Sequence, residues 1–250
     1  MSGHNKWANI QHRKGAQDAK RSNLFSKIAK DIIIAARDGG GDPDNNIRLR
    51  AAMDKARAAN MPKDNVAKAI KRGTGELEGV TYEEITYEGY GTGGIAVIVD
   101  CTTDNRNRTA PELRKIFSKH NGNLGEAGCV AWMFDKRGYI AIDPTAHTED
   151  EVMEAALEVG AEDVKTDDGA IVVLTQMEDY ATVLDALKGQ SFTVLSSEIT
   201  RIPQNKVKVD ASKVGPLLKL FDDLENHDDV QDYATNVDID EAAIEAYHKS

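Results

Sequence analysis

Cysteine is nearly absent: Cys101 and Cys129 are the only two in 250 residues. Two thiols without a spacing pattern exclude a disulfide framework and a cysteine-based zinc site. Both read as reduced side chains packed in strands. Long apolar runs are missing as well, and none approaches the roughly 18 residues that a membrane span requires. The start, Met1-Ser2-Gly3-His4-Asn5-Lys6, has no apolar stretch behind it, so no secretory signal is expected. A cytoplasmic protein with no membrane contact is the expectation.

Enzyme signatures are also lacking. There is no His-Glu-x-x-His, no Gly-x-Ser-x-Gly, no Cys-x-x-Cys and no kinase set. The histidines, His4, His12, His120, His147, His227 and His248, are scattered. The cluster Asp222, Asp223, Glu225, Asp228 and Asp229 has the composition of a nuclease-type Mg²⁺ site. It also follows the apolar Leu217, Leu218, Leu220 and Phe221, as a solvated helix end would. The expectation is a protein that is not an enzyme, with no cofactor, no metal and no small-molecule substrate.

What is present is charge, unevenly divided. The net charge of −11 conceals a basic front. Residues 1–75 carry 16 Lys/Arg against 7 Asp/Glu, a net of +9, and residues 76–250 carry 15 against 35, a net of −20. A basic module can hold phosphates, while an acidic remainder repels polyanions and keeps the chain soluble.

Periodicity divides the chain the same way. Apolar residues at helical spacing predict a helix over 16–37, stopped by Gly39-Gly40-Gly41. Asp42-Pro43 reads as the cap of a second helix to Ala59, and Met61-Pro62 as the start of a third, ended by Gly73. Strands are predicted over 83–90 and 95–101 around the turn Gly91-Thr92-Gly93-Gly94, then a helix capped by Asp104, then a strand over 130–135. That glycine turn joins two strands, so hairpin geometry explains it better than a phosphate loop. Residues 138–202 read as βαββαβ, the ferredoxin-like order, with capping boxes at Thr148/Glu151 and Thr175/Glu178 and a hairpin at Asp167-Asp168-Gly169. One more helix (211–225) and one more strand (230–237) then supply what the earlier ββαβ piece lacks. The expected fold is therefore α+β: a helical N-terminal domain plus two α/β domains of ferredoxin-like character, the second inserted into the first. The boundaries are 1–78, 79–137 with 204–250, and 138–203; a linear three-domain order is the alternative.

The candidate binding residues lie at the front. Lys6, Arg13, Lys20 and Lys27 recur every seven residues, accompanied by Lys14, Arg21 and Lys30. Where this stretch is helical, that repeat keeps the cations in a narrow arc able to follow a phosphate backbone. Six such contacts would cost roughly a thousandfold in affinity between about 50 and 200 mM salt. Trp7 could stack on an unpaired base or anchor the tail. A second candidate is Asp104-Asn105-Arg106-Asn107-Arg108-Thr109. Arg106 and Arg108 in a first helical turn oppose the helix dipole, which suits a phosphate there, or they pair with Glu112 in solvent.

Several of these segments resemble the YebC family, to which the mitochondrial translational activator of cytochrome c oxidase also belongs. The likeness runs through Gly3-His4-Asn5-Lys6-Trp7-Ala8-Asn9-Ile10, Arg13-Lys14, Gln17-Asp18, Lys20-Arg21, Gly39-Gly40-Gly41-Asp42-Pro43 and Tyr87-Glu88-Gly89-Tyr90-Gly91. It continues through Asp104 to Thr109, Gly122-Asn123-Leu124-Gly125 and Gly160-Ala161-Glu162-Asp163-Val164, and so covers essentially the whole chain. Asn5 and Thr92 depart from it, standing where serine and proline are expected. The resemblance implies three domains and a DNA-binding transcriptional regulator. It equally implies a ribosome-associated, RNA-binding translation factor that relieves stalling at stretches such as consecutive prolines. Three expectations stay open: a DNA regulator, a factor on ribosomal RNA, and an acidic protein-binding adaptor. The absence of a clear helix-turn-helix and the acidic two-thirds tilt the physical reading toward structured RNA. A monomer is expected.

Overall fold

The computed structural model describes residues 17–167, 169–240, 243, 244 and 247. The chain forms two compact units. One gathers Val130–Val209 with the described residues from Ala234 onward; the other gathers the described residues up to Cys129 with Asp210–Tyr233.

The second of these begins with helices, as the periodicity requires. Helix α1 (Gln17–Gly39) buries Ile28, Ile32 and Ile33 on one face, against Leu49, Ala52 and Ala56 of α2 (Ile47–Ala58) and Ala69 of α3 (Lys63–Gly73). Gly73 lets α3 approach α1 closely, since a Cβ there would stand 2.4 Å from the Ile33 carbonyl oxygen. The cap of α2 is not Asp42. Asn46 takes that role, accepting from the Leu49 N–H and donating to the Ala35 and Gly40 carbonyls, so it closes α1 and opens α2 at once. Asp42 instead holds a turn by accepting from the Asp44 N–H.

Strands β1 (Glu83–Gly91) and β2 (Ile95–Thr103) form the expected hairpin, paired antiparallel from Glu83↔Thr103 to Gly91↔Ile95. Gly93 and Gly94 supply the positive φ of its turn. The Thr92 hydroxyl donates to the His120 carbonyl, a tether that a proline could not make. Helix α4 (Arg106–Lys119) and α7 (Ala211–Glu225) pack on this hairpin. Glycines make room: Phe117 fits beneath Gly89, and Leu217 and Leu220 lie beneath Gly91. Strands β3 (Asn123–Leu124) and β9 (Val230–Thr235) complete a sheet of order β3-β1-β2-β9. The helix and strand that follow Pro203 thus join β1 and β2 across an intervening segment that has its own sheet.

That segment is βαββαβ: β4 (Phe134–Ile142), α5 (Glu149–Glu158), β5 (Asp163–Asp167), β6 (Ala170–Thr175), α6 (Tyr180–Gly189) and β7 (Val194–Pro203). Its sheet order, β5-β6-β4-β7, is antiparallel throughout, the ferredoxin-like arrangement. Ile140, Ile142, Ile171 and Val173 form a core with Val152 and Ala156 of α5 and Val183 and Leu187 of α6. The short strands β8 (Val207–Lys208) and β10 (Val237–Asp238) pair in parallel.

Four local expectations are corrected. Residues 130–135 do not form a separate strand: Ala131–Met133 is a 3₁₀ turn, and Phe134 opens the nine-residue β4. Gly138, which resembled a strand start, lies inside β4, where a Cβ would clash with Thr175 and Tyr180. The Thr148/Glu151 capping box is present, but Thr175 and Glu178 do not form one. Helix α6 follows Asp179, and the Thr175 hydroxyl donates to the Gln176 carbonyl. Cys101 is buried in β2, and burial pushes its thiol up to about 12, which makes it inert; Cys129 is half-buried in a bend rather than a strand.

Candidate nucleic-acid interface

The structure sorts the predicted cations into committed and uncommitted ones. Helix α7 ends at Glu225, leaving carbonyls and the negative end of its dipole without intrahelical partners. Helix α1 satisfies them. Asn23 Nδ2 donates to the Asn226 carbonyl at 3.0 Å, Lys27 Nζ to the Glu225 carbonyl at 2.6 Å, and Lys30 Nζ to the Asp228 carbonyl at 2.8 Å. Burial lowers the pKa of Lys27, against the pull of Glu225 and Asp232.

Lys30 also reaches Asp229, the most connected carboxylate in this unit. Its side chain is 3% exposed. Oδ1 accepts from Lys30 Nζ at 2.9 Å, and Oδ2 accepts from Arg108 Nη2 at 2.7 Å, Thr109 Oγ1 at 2.8 Å and Thr103 Oγ1 at 3.2 Å. Its backbone carbonyl accepts from the Thr102 N–H, and its own N–H donates to His227 Nδ1. Burial alone would raise the Asp229 pKa, but the hydrogen bonds from Arg108, Lys30 and Thr109 outweigh it and hold the carboxyl well below the usual range. One side chain thereby ties α1, the end of β2 and the first turn of α4 to the α7–β9 connection.

Two arginines in the first turn of α4 become intelligible here. Asn105, not Asp104, caps the helix by accepting from the Arg108 N–H. Arg108 turns back to Asp104 at 3.0 Å and Asp229 at 2.7 Å, with Glu112 farther off at 4.0 Å. Its partners offset the dipole. Arg106 is exposed and has no ion pair among the described residues.

Of the other expected contacts, Arg21 is exposed with its guanidinium 5.3 Å from the Phe25 ring centroid. Lys20 lies in α1, its side chain outside the described residues, and Lys6, Trp7, Arg13 and Lys14 lie outside them altogether. Sequence reading missed the rest of α4: Arg114, Lys115 and Lys119 are exposed on the same helix, with Glu112 its single acid. Concentration was the available signal, since five of the 15 cations in residues 76–250 fall within these 14 residues.

The acidic cluster is dispersed. Asp229 is sequestered, while Asp223 accepts from Lys119 Nζ and faces His120 Nε2, each at 2.8 Å. Its pKa, pushed up by burial, is brought below the ordinary value by those two partners. Among the described residues no group of three metal-ligating side chains has metal-holding geometry.

A groove of about 1170 Å³ runs between α1 and α4 in this unit. The cations Lys30, Arg72, Arg108, Lys115 and Lys119 line it, but so do Asp104, Glu112, Asp223, Asp228 and Asp229. Such a balance does not select a polyanion, so the binding cations must be sought on outward faces.

Comparisons with known proteins agree over nearly the full length. A family model described as the TACO1/YebC protein N-terminal domain matches residues 5–76, and one described as the TACO1/YebC second and third domain matches residues 82–237. A "Probable transcriptional regulatory protein" of Trichlorobacter lovleyi is 57% identical over 239 residues, 96% of each chain. One of the same name from Dictyoglomus turgidum is 53% identical over 247 residues, covering 98% of this chain and 99% of its own. The crystal structure of a conserved hypothetical protein from Aquifex aeolicus has a TM-score of 0.83 at 44% identity, covering 94% of this chain and 98% of that one. No helix among the described residues is long and apolar enough to cross a membrane.

Proposed function

The chain belongs to the TACO1/YebC family, and on that premise we propose that it is a nucleic-acid-binding regulator of gene expression. In this reading it works in the cytoplasm as a monomer, without catalysis or cofactor. The observation that carries the reading is the net charge of +9 on residues 1–75 against −20 on the remainder. Cations so concentrated release counterions when they meet a phosphate backbone, and the acidic remainder keeps the contact confined to one end of the molecule. The names of the curated relatives favour DNA as the target.

The contacts we assign are Lys6, Trp7, Arg13, Lys14, Lys20 and Arg21 at the front and Arg106 at the start of α4. Lys27, Lys30 and Arg108 support them from within, holding α1 and α4 in place through Glu225 and Asp229. Three modules, 1–78, 79–137 with 204–250, and 138–203, fit this division of labour.

A second reading, a translation factor on ribosomal RNA, is favoured by the charge of −20, which resists lying along duplex DNA. Crosslinking in cells followed by sequencing of the recovered nucleic acid decides between them. Promoter DNA is the expected catch for the first reading and ribosomal RNA for the second; recovery of neither above background would remove both.

A further inference from the structure

The cations of the three helices differ in whether the protein itself uses them. On α2, Arg48 pairs with Glu84 and Asp38, Arg50 donates to the Pro43 and Asp44 carbonyls, Lys55 stands 4.0 Å from Asp31, and Arg57 pairs with Asp54. On α1, Lys27 and Lys30 are consumed by α7 and Asp229. Helix α3 is different. Lys63, Lys68, Lys71 and Arg72 are all exposed, and none has an ion pair or hydrogen-bonded side-chain partner among the described residues.

Their placement is unfavourable for a helix considered alone. Lys68 is three residues from Lys71 and four from Arg72, spacings at which like charges repel along a helix. Lys63 occupies the first turn, where a cation opposes the dipole. The dipole accounts for Lys71 and Arg72 in the last turn, but not for Lys63 or Lys68. The apolar side of α3, Val66, Ala69 and Ile70, faces the helical core, so Lys68 and Lys71 point outward, with Lys63 on one flank and Arg72, which also lines the α1–α4 groove, on the other. Only Asp64 carries negative charge in the helix; four residues before Lys68, it offsets one of the four cations at most. The four residues Ala59 to Pro62 separate α2 from α3, a connection of the length that joins the two helices of a helix-turn-helix. A helix about 10–12 Å across matches the major groove of B-form DNA, about 12 Å wide, and not the narrow major groove of an RNA duplex.

Building on the nucleic-acid reading above, we propose that the outward face of α3, formed by Lys63, Lys68, Lys71 and Arg72, is a docking surface for the sugar–phosphate backbone of a B-form DNA duplex. The unmatched charge is satisfied when phosphates replace the missing acids. Charge rather than sequence then determines affinity at this face.

The test uses the full chain with Lys63→Ala, Lys68→Ala, Lys71→Ala and Arg72→Ala combined. Alanine favours the helix at exposed positions, and an unchanged circular dichroism melt verifies folding. Binding to a fluorescent DNA duplex, and separately to an RNA duplex of the same sequence, is followed by anisotropy across salt. On the DNA duplex, losing four phosphate contacts flattens the slope of log K against log salt by about 3.6. The affinity lost between about 50 and 200 mM salt then shrinks roughly a hundredfold relative to the unaltered chain. Lys188→Ala, exposed on α6, leaves the slope unchanged. If the unaltered chain binds and the fourfold variant keeps its slope on the DNA duplex, or loses slope on the RNA duplex alone, α3 is not a DNA-docking surface, although the nucleic-acid reading stands. If the unaltered chain does not bind the DNA duplex, the docking proposal fails; if it also binds no duplex, single-stranded or ribosomal RNA, the reading beneath it fails too.

Discussion

Asp229→Asn is expected to lower the unfolding free energy by about 3 kcal/mol, the loss typical of removing one partner from a buried ion pair. The carboxylate is 3% exposed and its partner Lys30 only 11%, so Lys30 would be left as a cation without its counter-charge and with little access to water. Arg108, at 43% exposed, can turn to solvent and adds little to the loss. A double replacement separates the two effects. With Lys30→Met added, the stranded cation is gone, and part of the stability should return. The pH dependence follows from the same carboxyl. Its folded pKa lies below its unfolded value near 4, so its contribution is complete above about pH 4 and is lost as pH falls toward the folded value. Urea unfolding at neutral and acidic pH checks both statements: the gap between the original protein and Asp229→Asn should narrow as pH falls below about 4.

Removing the front stripe is expected to change binding rather than stability. Arg13→Ala, Lys14→Ala, Lys20→Ala and Arg21→Ala together delete four candidate phosphate contacts. The slope of log K against log salt should flatten by about 3.6 on duplex DNA, or by about 2.8 on single-stranded RNA. Lys27→Met with Lys30→Met should do the reverse, lowering the urea midpoint while leaving the slope close to that of the unaltered chain, because those ammonium groups are spent on Glu225, Asp228 and Asp229. Equal slopes for the stripe variant and the original protein would take the front cations out of the interface.

The difference between these pairs explains what the sequence made legible. A seven-residue repeat of cations reveals that they share an arc, but not what faces the arc. Lys20 and Lys27 are indistinguishable by spacing; only the fold shows that the end of α7, some 200 residues later, reaches Lys27. The role of Asp229 as a hub was hidden for the same reason, since its partners come from α1, β2 and α4. In sequence it reads as one more acid at a solvated helix end. Local chemistry was more readable: the hairpin at Gly91 to Gly94, the Thr148/Glu151 box and the βαββαβ order all rest on neighbours in the chain. Where a competing residue stood close by, the reading slipped by a few positions, as Asn46 took the cap expected of Asp42 and Asn105 that of Asp104. Both asparagines also satisfy backbone groups or first-turn donors that a turn-bound aspartate does not reach.

The central claim is that one end of this acidic chain is attracted to nucleic acid by charge. Equilibrium binding of the intact protein to labelled DNA and to labelled ribosomal RNA, followed from about 50 to 200 mM salt, measures this directly. Association in dilute buffer that weakens a hundredfold or more across that range is the predicted result. No association with either polymer at the lowest salt would contradict it.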